Sequence, residues 1–174
     1  GHHLLTLIDD LLDLSRIEAG TIRLRIEDLD LRDVLHDALD DLGASAALGQ
    51  VRVSLEVPAG TPPRVRGDAT RLRQVVANLV SNAIKYNRPG GTVAVRLAPF
   101  GERLRMSVID DGPGMTPQQL QGLFQPFNRL GREASQVEGT GIGLVITRSL
   151  GALMGGEMSV HSEPGRGSEF DVDL

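Results

Sequence analysis

The chain has 174 residues, 40% of them hydrophobic and 24% charged, with a net charge of −5. That balance is the one of a soluble globular domain with room for a short appendage, and it excludes a general binder of nucleic-acid backbones. One nucleotide remains a possible ligand, because a local pocket needs only backbone amides and a few cations. Cysteine is absent, which excludes disulfides and Cys-based metal sites, and aromatics at 3% leave the core to Leu, Val, Ile and Ala. No apolar run approaches the roughly 20 residues that cross a bilayer, and there is no signal-peptide pattern. The chain starts inside a helical pattern, so the expectation is a cytoplasmic piece of a longer protein that could be membrane-anchored upstream.

Residues 4 to 19 place apolar side chains at Leu4, Leu5, Leu7, Ile8, Leu11, Leu12, Leu14 and Ile17, with Asp9, Asp10, Asp13 and Arg16 opposite. This spacing predicts a helix with a broad apolar face, stopped at Gly20. So short a helix needs a partner for that face. A bundle with a second chain is the expected partner, and folding back on its own domain is the alternative.

A short strand is expected near Leu24 to Leu29, then a helix from about Leu31 to Leu48. Val51 to Val57 alternates like a half-buried strand. Pro58, Gly60, Pro62 and Pro63 mark a loop. Asp68 is suited to cap a helix running to about Tyr86, ended by Asn87, Pro89, Gly90 and Gly91. Strands at Thr92–Ala98 and Leu104–Ile109 follow, joined at Phe100, Gly101 and Glu102. Pro117 opens a short helix to about Leu123. Residues 128–141 read as a polar, glycine-bearing loop. A helix from Ile142 to Met154 and closing strands at Met158–His161 and Ser168–Val172 complete the order. Helices mixed with hairpins predict an α/β two-layer sandwich with a mixed sheet and helices on one face, preceded by a single N-terminal helix.

Three segments carry candidate chemistry. On the helix of residues 68–86, a stripe from Leu72 to Ile84 leaves Asn78, Asn82 and Lys85 along one edge, with Tyr86 adjacent. Asparagine is a poor interior helix residue. Its amide oxygen suits Mg²⁺, and Lys85 could meet a phosphate; a solvated face fits the spacing equally well. Asp110, Asp111, Gly112, Pro113 and Gly114 end a strand in acid followed by glycine. A carboxylate there can accept from an exocyclic amine, and glycine lets backbone approach a flat ring. Gly139, Thr140, Gly141, Ile142, Gly143 and Leu144 run into a helix start, where amides and the helix dipole favour phosphates. This is neither a Walker loop nor a Rossmann fingerprint.

The order of these segments resembles the catalytic domain of sensor histidine kinases, in the GHKL ATPase superfamily with the Bergerat fold, over residues 22–174. Asn78 to Tyr86 looks like the N box and Asp110 to Gly114 like the G1 box. Leu123, Phe124, Gln125, Pro126 and Phe127 look like the F box. Gly139 to Leu144 looks like the G2 box, and Gly165, Arg166, Gly167 and Ser168 like the last glycine motif.

The resemblance implies ATP and Mg²⁺ as cofactors. Asn82 would coordinate the metal with Asn78 close by. Lys85 and Tyr86 would lie beside the phosphates, and Asp110 would take the adenine amine. Gly112 and Gly114 would line the adenine pocket, and Arg129 would reach the γ-phosphate. Gly139, Thr140, Gly141, Ile142, Gly143, Leu144 and Ser168 would wrap the nucleotide, beneath a lid of residues 128–138 that is displaced without ligand. Asn78, Lys85 and Arg129 would be the catalytic side chains. Gyrase-type members carry a glutamate at the position of Asn78 that activates water; an asparagine there implies poor hydrolysis and transfer to a protein histidine instead.

Residues 1–21 resemble the end of the dimerisation and phosphoacceptor helix, through Leu11, Leu12, Asp13, Leu14, Ser15, Arg16, Ile17, Glu18, Ala19 and Gly20. The phosphorylated histidine is expected upstream, not at His2 or His3, so this piece is not expected to autophosphorylate. Implied partners are the protein's own dimerisation domain, a homodimer and a response-regulator receiver domain, with no nucleic acid and no membrane contact. The alternative readings are a kinase-silent nucleotide-binding scaffold and an anti-sigma-type serine kinase.

Overall fold

The computed structural model describes residues 2–59, 63–122 and 143–174. Helix α1 (His2–Glu18) comes first, then β1 (Glu27–Asp30), α2 (Leu31–Asp41), α3 (Gly43–Gly49), β2 (Arg52–Glu56) and β3 (Arg64–Gly67). They are followed by α4 (Ala69–Lys85), β4 (Thr92–Phe100), β5 (Arg103–Asp110), α5 (Pro117–Gln121), α6 (Gly143–Leu153), β6 (Glu157–Glu163) and β7 (Gly167–Asp173). The main sheet has the order β2-β4-β5-β7-β6, and β1 pairs with β3 in a separate two-stranded ribbon. β2 and β4 are parallel and the other neighbours antiparallel, so the sheet is mixed. The parallel pair requires a crossover, and α4 lies within it.

Strand periodicity decides which face the helices cover. Val93, Val95, Leu97, Met106, Val108, Phe170 and Val172 alternate inward and are buried. The opposite face is polar: Arg96 pairs with Glu56 at 2.7 Å and Arg105 with Asp173 at 2.7 Å. Helix α4 seals the inner face with Leu72, Val75, Val76, Leu79, Val80, Ala83 and Ile84, all buried, and is flanked by α2 and α6. Gly101, at φ 61°, supplies the tight turn between β4 and β5.

Three expectations need correction. The helix expected over residues 31–48 is two helices, broken at Leu42, whose ψ of 0° ends α2 before Gly43 opens α3. Strand β3 was not anticipated: it has only four residues, of which Arg64 and Arg66 are exposed, and it is held by pairing with β1 and by Val65 against the core. β1 itself begins at Glu27, three residues later than expected. Helix α1 stops at Gly20, at φ 68°, as anticipated. Part of its apolar face folds back on its own domain, which was the alternative reading. Leu14 and Ile17 pack on the core, whereas Ile8, Leu11 and Leu12 remain exposed. Asp13 fixes the docked end by accepting from Arg71 Nη1 at 3.3 Å and Gln74 Nε2 at 3.0 Å on α4.

Asp68 caps α4 as expected, its Oδ1 accepting from Arg71 N at 3.1 Å. Its Oδ2 accepts from Arg25 N at 2.9 Å, so one carboxylate anchors both α4 and the segment leading from α1. Burial pushes its pKa up, but these backbone N–H bonds outweigh burial and hold it below 3.8. A depressed carboxylate stabilises the fold above its unfolded pKa, and that contribution fades as pH falls through the folded value. Asp68→Ala is expected to cost about 1–2 kcal/mol near neutral pH, by urea denaturation. The gap from wild type should narrow below about pH 4, and a gap unchanged there would contradict the charge assignment.

Candidate functional site

A cleft opens where α4, the end of β5, the first turn of α6 and β7 meet. Helix α4 contributes Asn82, Ala83 and Tyr86; the β5 end and its exit contribute Asp110, Pro113, Gly114 and Met115. Leu144 comes from α6, and Ser168 and Phe170 from β7. Ala83, Met115, Leu144 and Phe170 make an apolar slot suited to a flat ring. Asp110 provides the carboxylate on its wall and Asn82 an amide.

Alternation along β5 selects between the two aspartates. Met106, Val108 and Asp110 share the inner face, and Asp110 stands in register with Val93 and Ser168. Its Oδ1 accepts from Gly112 N at 2.9 Å, which fixes the carboxylate. Asp111 faces the other way and ties β5 to β4, accepting from Thr92 N at 2.7 Å and Thr92 Oγ1 at 3.1 Å. Those bonds from Thr92, against burial and with help from Asn87, hold the Asp111 carboxyl below its ordinary range.

Two glycines are demanded by the protein itself. Gly114, at φ 70°, passes so close to Glu163 O that a Cβ would collide with that carbonyl. Gly167, at φ 83°, approaches Asp110 O in the same way. Ser162 ties the two segments: its hydroxyl accepts from Met115 N at 2.8 Å and donates to Gly167 O at 2.9 Å. Gly165 N adds a bond to Pro113 O at 2.7 Å.

The structure thus brings Asn82, Tyr86, Asp110, Gly114, Leu144 and Ser168 to one cleft. Gly112 is buried behind Asp110, where a Cβ would press on Asp110 Oδ1 and Tyr86 O at 3.1 Å each. Asn78 lies one turn before Asn82, and its amide donates to Gly143 O at 3.4 Å and Thr147 Oγ1 at 3.2 Å, at the start of α6. Lys85 is exposed and does not line the cleft. Arg129, Gly139, Thr140, Gly141 and Ile142, with the Phe124 and Phe127 segment, lie outside the described residues. Sequence reading missed Ala83, Pro113, Met115 and Phe170 as lining residues; counting by two from Ser168 would have found Phe170.

These residues fit a nucleotide with a bound cation. A slot for a ring, a carboxylate and a helix start are joined in one cleft. An asparagine oxygen suits Mg²⁺ when phosphates and water complete its shell. Among the described residues no group of three or more His, Cys, Asp or Glu could hold a metal by itself. A second, more open depression carries Asp28, Asp30, Asp33, Asp37, Arg64 and Arg73. Its aspartates repel phosphates, and it offers no comparable apolar slot.

Fold and cleft together define a nucleotide-binding domain. Residues 67–174 match the family described as histidine kinase-, DNA gyrase B-, and HSP90-like ATPase, and the chain belongs to that family. It is 43% identical, over 99% of its length, to the sensor protein GacS of Pseudomonas syringae pv. syringae, covering 20% of that protein. It is 40% identical, over 99% of its length, to the circadian input-output histidine kinase CikA of Synechococcus elongatus, covering 23% of it. The chain therefore spans about a fifth of the length of these curated relatives. Among solved structures, full-length ShkA in complex with AMPPNP superposes with a TM-score of 0.84 at 31% identity, covering 99% of this chain and 35% of that one.

Gly114→Ala is expected to destabilise the domain by about 1–3 kcal/mol, because both the positive φ and the Glu163 carbonyl oppose a side chain. Urea midpoints measure this, and a neutral substitution would refute the close approach.

Proposed function

We propose that the chain is the ATP-binding catalytic domain of a two-component sensor histidine kinase. It would present the γ-phosphate of ATP to a histidine on a dimerisation domain, for relay to a response-regulator receiver domain. Residues 1–21 would be the end of the dimerisation and phosphoacceptor helix and 22–174 the catalytic domain, in the cytoplasm and working as a homodimer. The observation that carries this reading is the cleft itself, in which Asp110 and Asn82 flank one apolar slot beside the first turn of α6.

In this reading adenine lies between Ala83, Met115, Leu144 and Phe170, and Asp110 accepts from its exocyclic amine. Gly112 holds the carboxylate in place through its N–H. Asn82 would coordinate Mg²⁺, which when bound supplies charge neutralisation on the phosphates. Tyr86, Lys85, Ser168 and the segment from Gly139 to Leu144 would surround the rest of the nucleotide, and Arg129 would reach the γ-phosphate. Asn78 cannot remove a proton from water, since an amide is no base at neutral pH. Its NH₂ group is moreover turned to Gly143 and Thr147. Hydrolysis is therefore slow, and the γ-phosphate is kept for transfer.

Mg-ADP at about a hundred times its Kd should stabilise the domain by about 2.7 kcal/mol through mass action, read as a raised Tm. Asp110→Asn should weaken ADP binding about tenfold or more, because one hydrogen bond is replaced by a donor facing a donor. With a supplied dimerisation domain, labelled γ-phosphate should appear on histidine. Rapid release of free phosphate by the isolated chain would overturn the role given to Asn78.

A further inference from the structure

Helix α6 reads GLVITRSLGAL from Gly143 to Leu153, and one polar residue falls on its buried side. Ile146, Thr147, Leu150 and Gly151 are its buried positions, and Thr147 is only 1% exposed. A hydroxyl so enclosed requires partners. It has two: Oγ1 donates to Gly143 O one turn back at 2.8 Å and accepts from Asn78 Nδ2 at 3.2 Å. The same Asn78 nitrogen also reaches Gly143 O at 3.4 Å.

Hydrogen-bond chemistry fixes the polarity of this cluster. A backbone carbonyl only accepts, so the Asn78 nitrogen, and not its oxygen, must face Gly143. The Thr147 proton is committed to that carbonyl, which leaves the hydroxyl lone pairs for Asn78. In a helix, a threonine bonding back to the residue four before it is slightly unfavourable by itself. Here the bond turns the hydroxyl toward α4, where Asn78 meets it. Leu144, next to Gly143, lines the nucleotide cleft. The first turn of α6 is thus held to α4 one turn away from Asn82.

We propose that Thr147 is a positioning residue for the nucleotide site: by clasping Asn78 and the Gly143 carbonyl together, it sets the first turn of α6 at the place where that helix start meets the phosphates. This rests on the reading of the cleft as an ATP site. A helix start attracts anions through oriented N–H groups and its dipole, and both act over one turn only. A small displacement of that turn therefore weakens phosphate binding more than ring binding, since Leu144 is one of four apolar side chains of the slot and the other three stand on other elements.

The test compares adenosine, ADP and ATP, each titrated by calorimetry into wild type, Thr147→Val, Thr147→Ser, Asn78→Ala and the Thr147→Val/Asn78→Ala pair. Valine keeps the shape and removes the hydroxyl; serine keeps the hydroxyl. Thr147→Val should weaken ADP and ATP about tenfold, within the range of coupled neighbours, and change adenosine less than about twofold. Thr147→Ser should restore wild-type binding. In the Asn78→Ala background, adding Thr147→Val should change ADP affinity less than about twofold, because the clasp is already open. Without ligand, hydrogen exchange at the first hydrogen-bonded amides of α6, from Thr147 onward, should quicken in Thr147→Val and stay slow in Thr147→Ser.

Equal losses for adenosine and ADP, additive effects in the double variant, or unchanged exchange would each overturn the proposal while leaving the ATP site intact. A wild-type chain that binds neither adenosine nor ATP would instead overturn the ATP site, and the positioning role with it.

Discussion

Burial of one stripe on α4 sets everything else in the domain. Leu72, Val75, Val76, Leu79, Val80, Ala83 and Ile84 are each at most 7% exposed, and a buried Val, Leu or Ile contributes roughly 1.5–3 kcal/mol. The roll of α4 about its axis is therefore fixed far more strongly than any polar contact could fix it. Once the stripe faces the sheet, Asn82 and Tyr86 stand on the cleft and Asn78 meets α6. The Asp68 cap fixes where the helix begins, and hence how far along it these side chains fall.

The opposite wall depends on backbone meeting backbone. The exit of β5 and the β6–β7 turn approach so closely that Gly114 and Gly167 cannot carry a Cβ, and Ser162 bridges them. Asp110 gains its orientation within this frame: it is the last inward residue of β5, held by the amide of Gly112. One wall is thus placed by apolar burial and the other by steric fit, and the ring slot lies between. Helix α6 contributes the third side, packed through Ile146 and Leu150 and joined to Asn78 by hydrogen bonds to Gly143 O and Thr147 Oγ1.

Periodic and local signals were legible in the sequence. The 3-4 stripe and Asp68 marked α4 to within a residue, alternation and a glycine turn marked β4 and β5, and the same alternation separates Asp110 from Asp111. Signals that depend on tertiary neighbours were not. β3 has four residues of weak alternation and is held by β1. The break at Leu42 lies between two segments that are both helical by propensity. The docking of Leu14 and Ile17 beside exposed Leu11 and Leu12 divides a face that is continuous in sequence. Phe170 and Met115 read as core, since a slot for a flat ring uses the same side chains as a core. Thr147 drew no notice because its meaning lies in Asn78, 69 residues earlier.

The central claim is that Asn82, on a helix, and Asp110, at a strand end, serve the two ends of one nucleotide. Backbone and side-chain amide NMR of the chain, titrated first with adenosine and then with Mg-ADP, measures this most directly. Adenosine should shift Asp110, Met115, Leu144 and Phe170 and leave Asn82 largely unmoved; Mg-ADP should shift all five. Shifts confined to the acidic depression around Asp30 and Arg73, or an Asn82 signal indifferent to phosphates and metal, would contradict it.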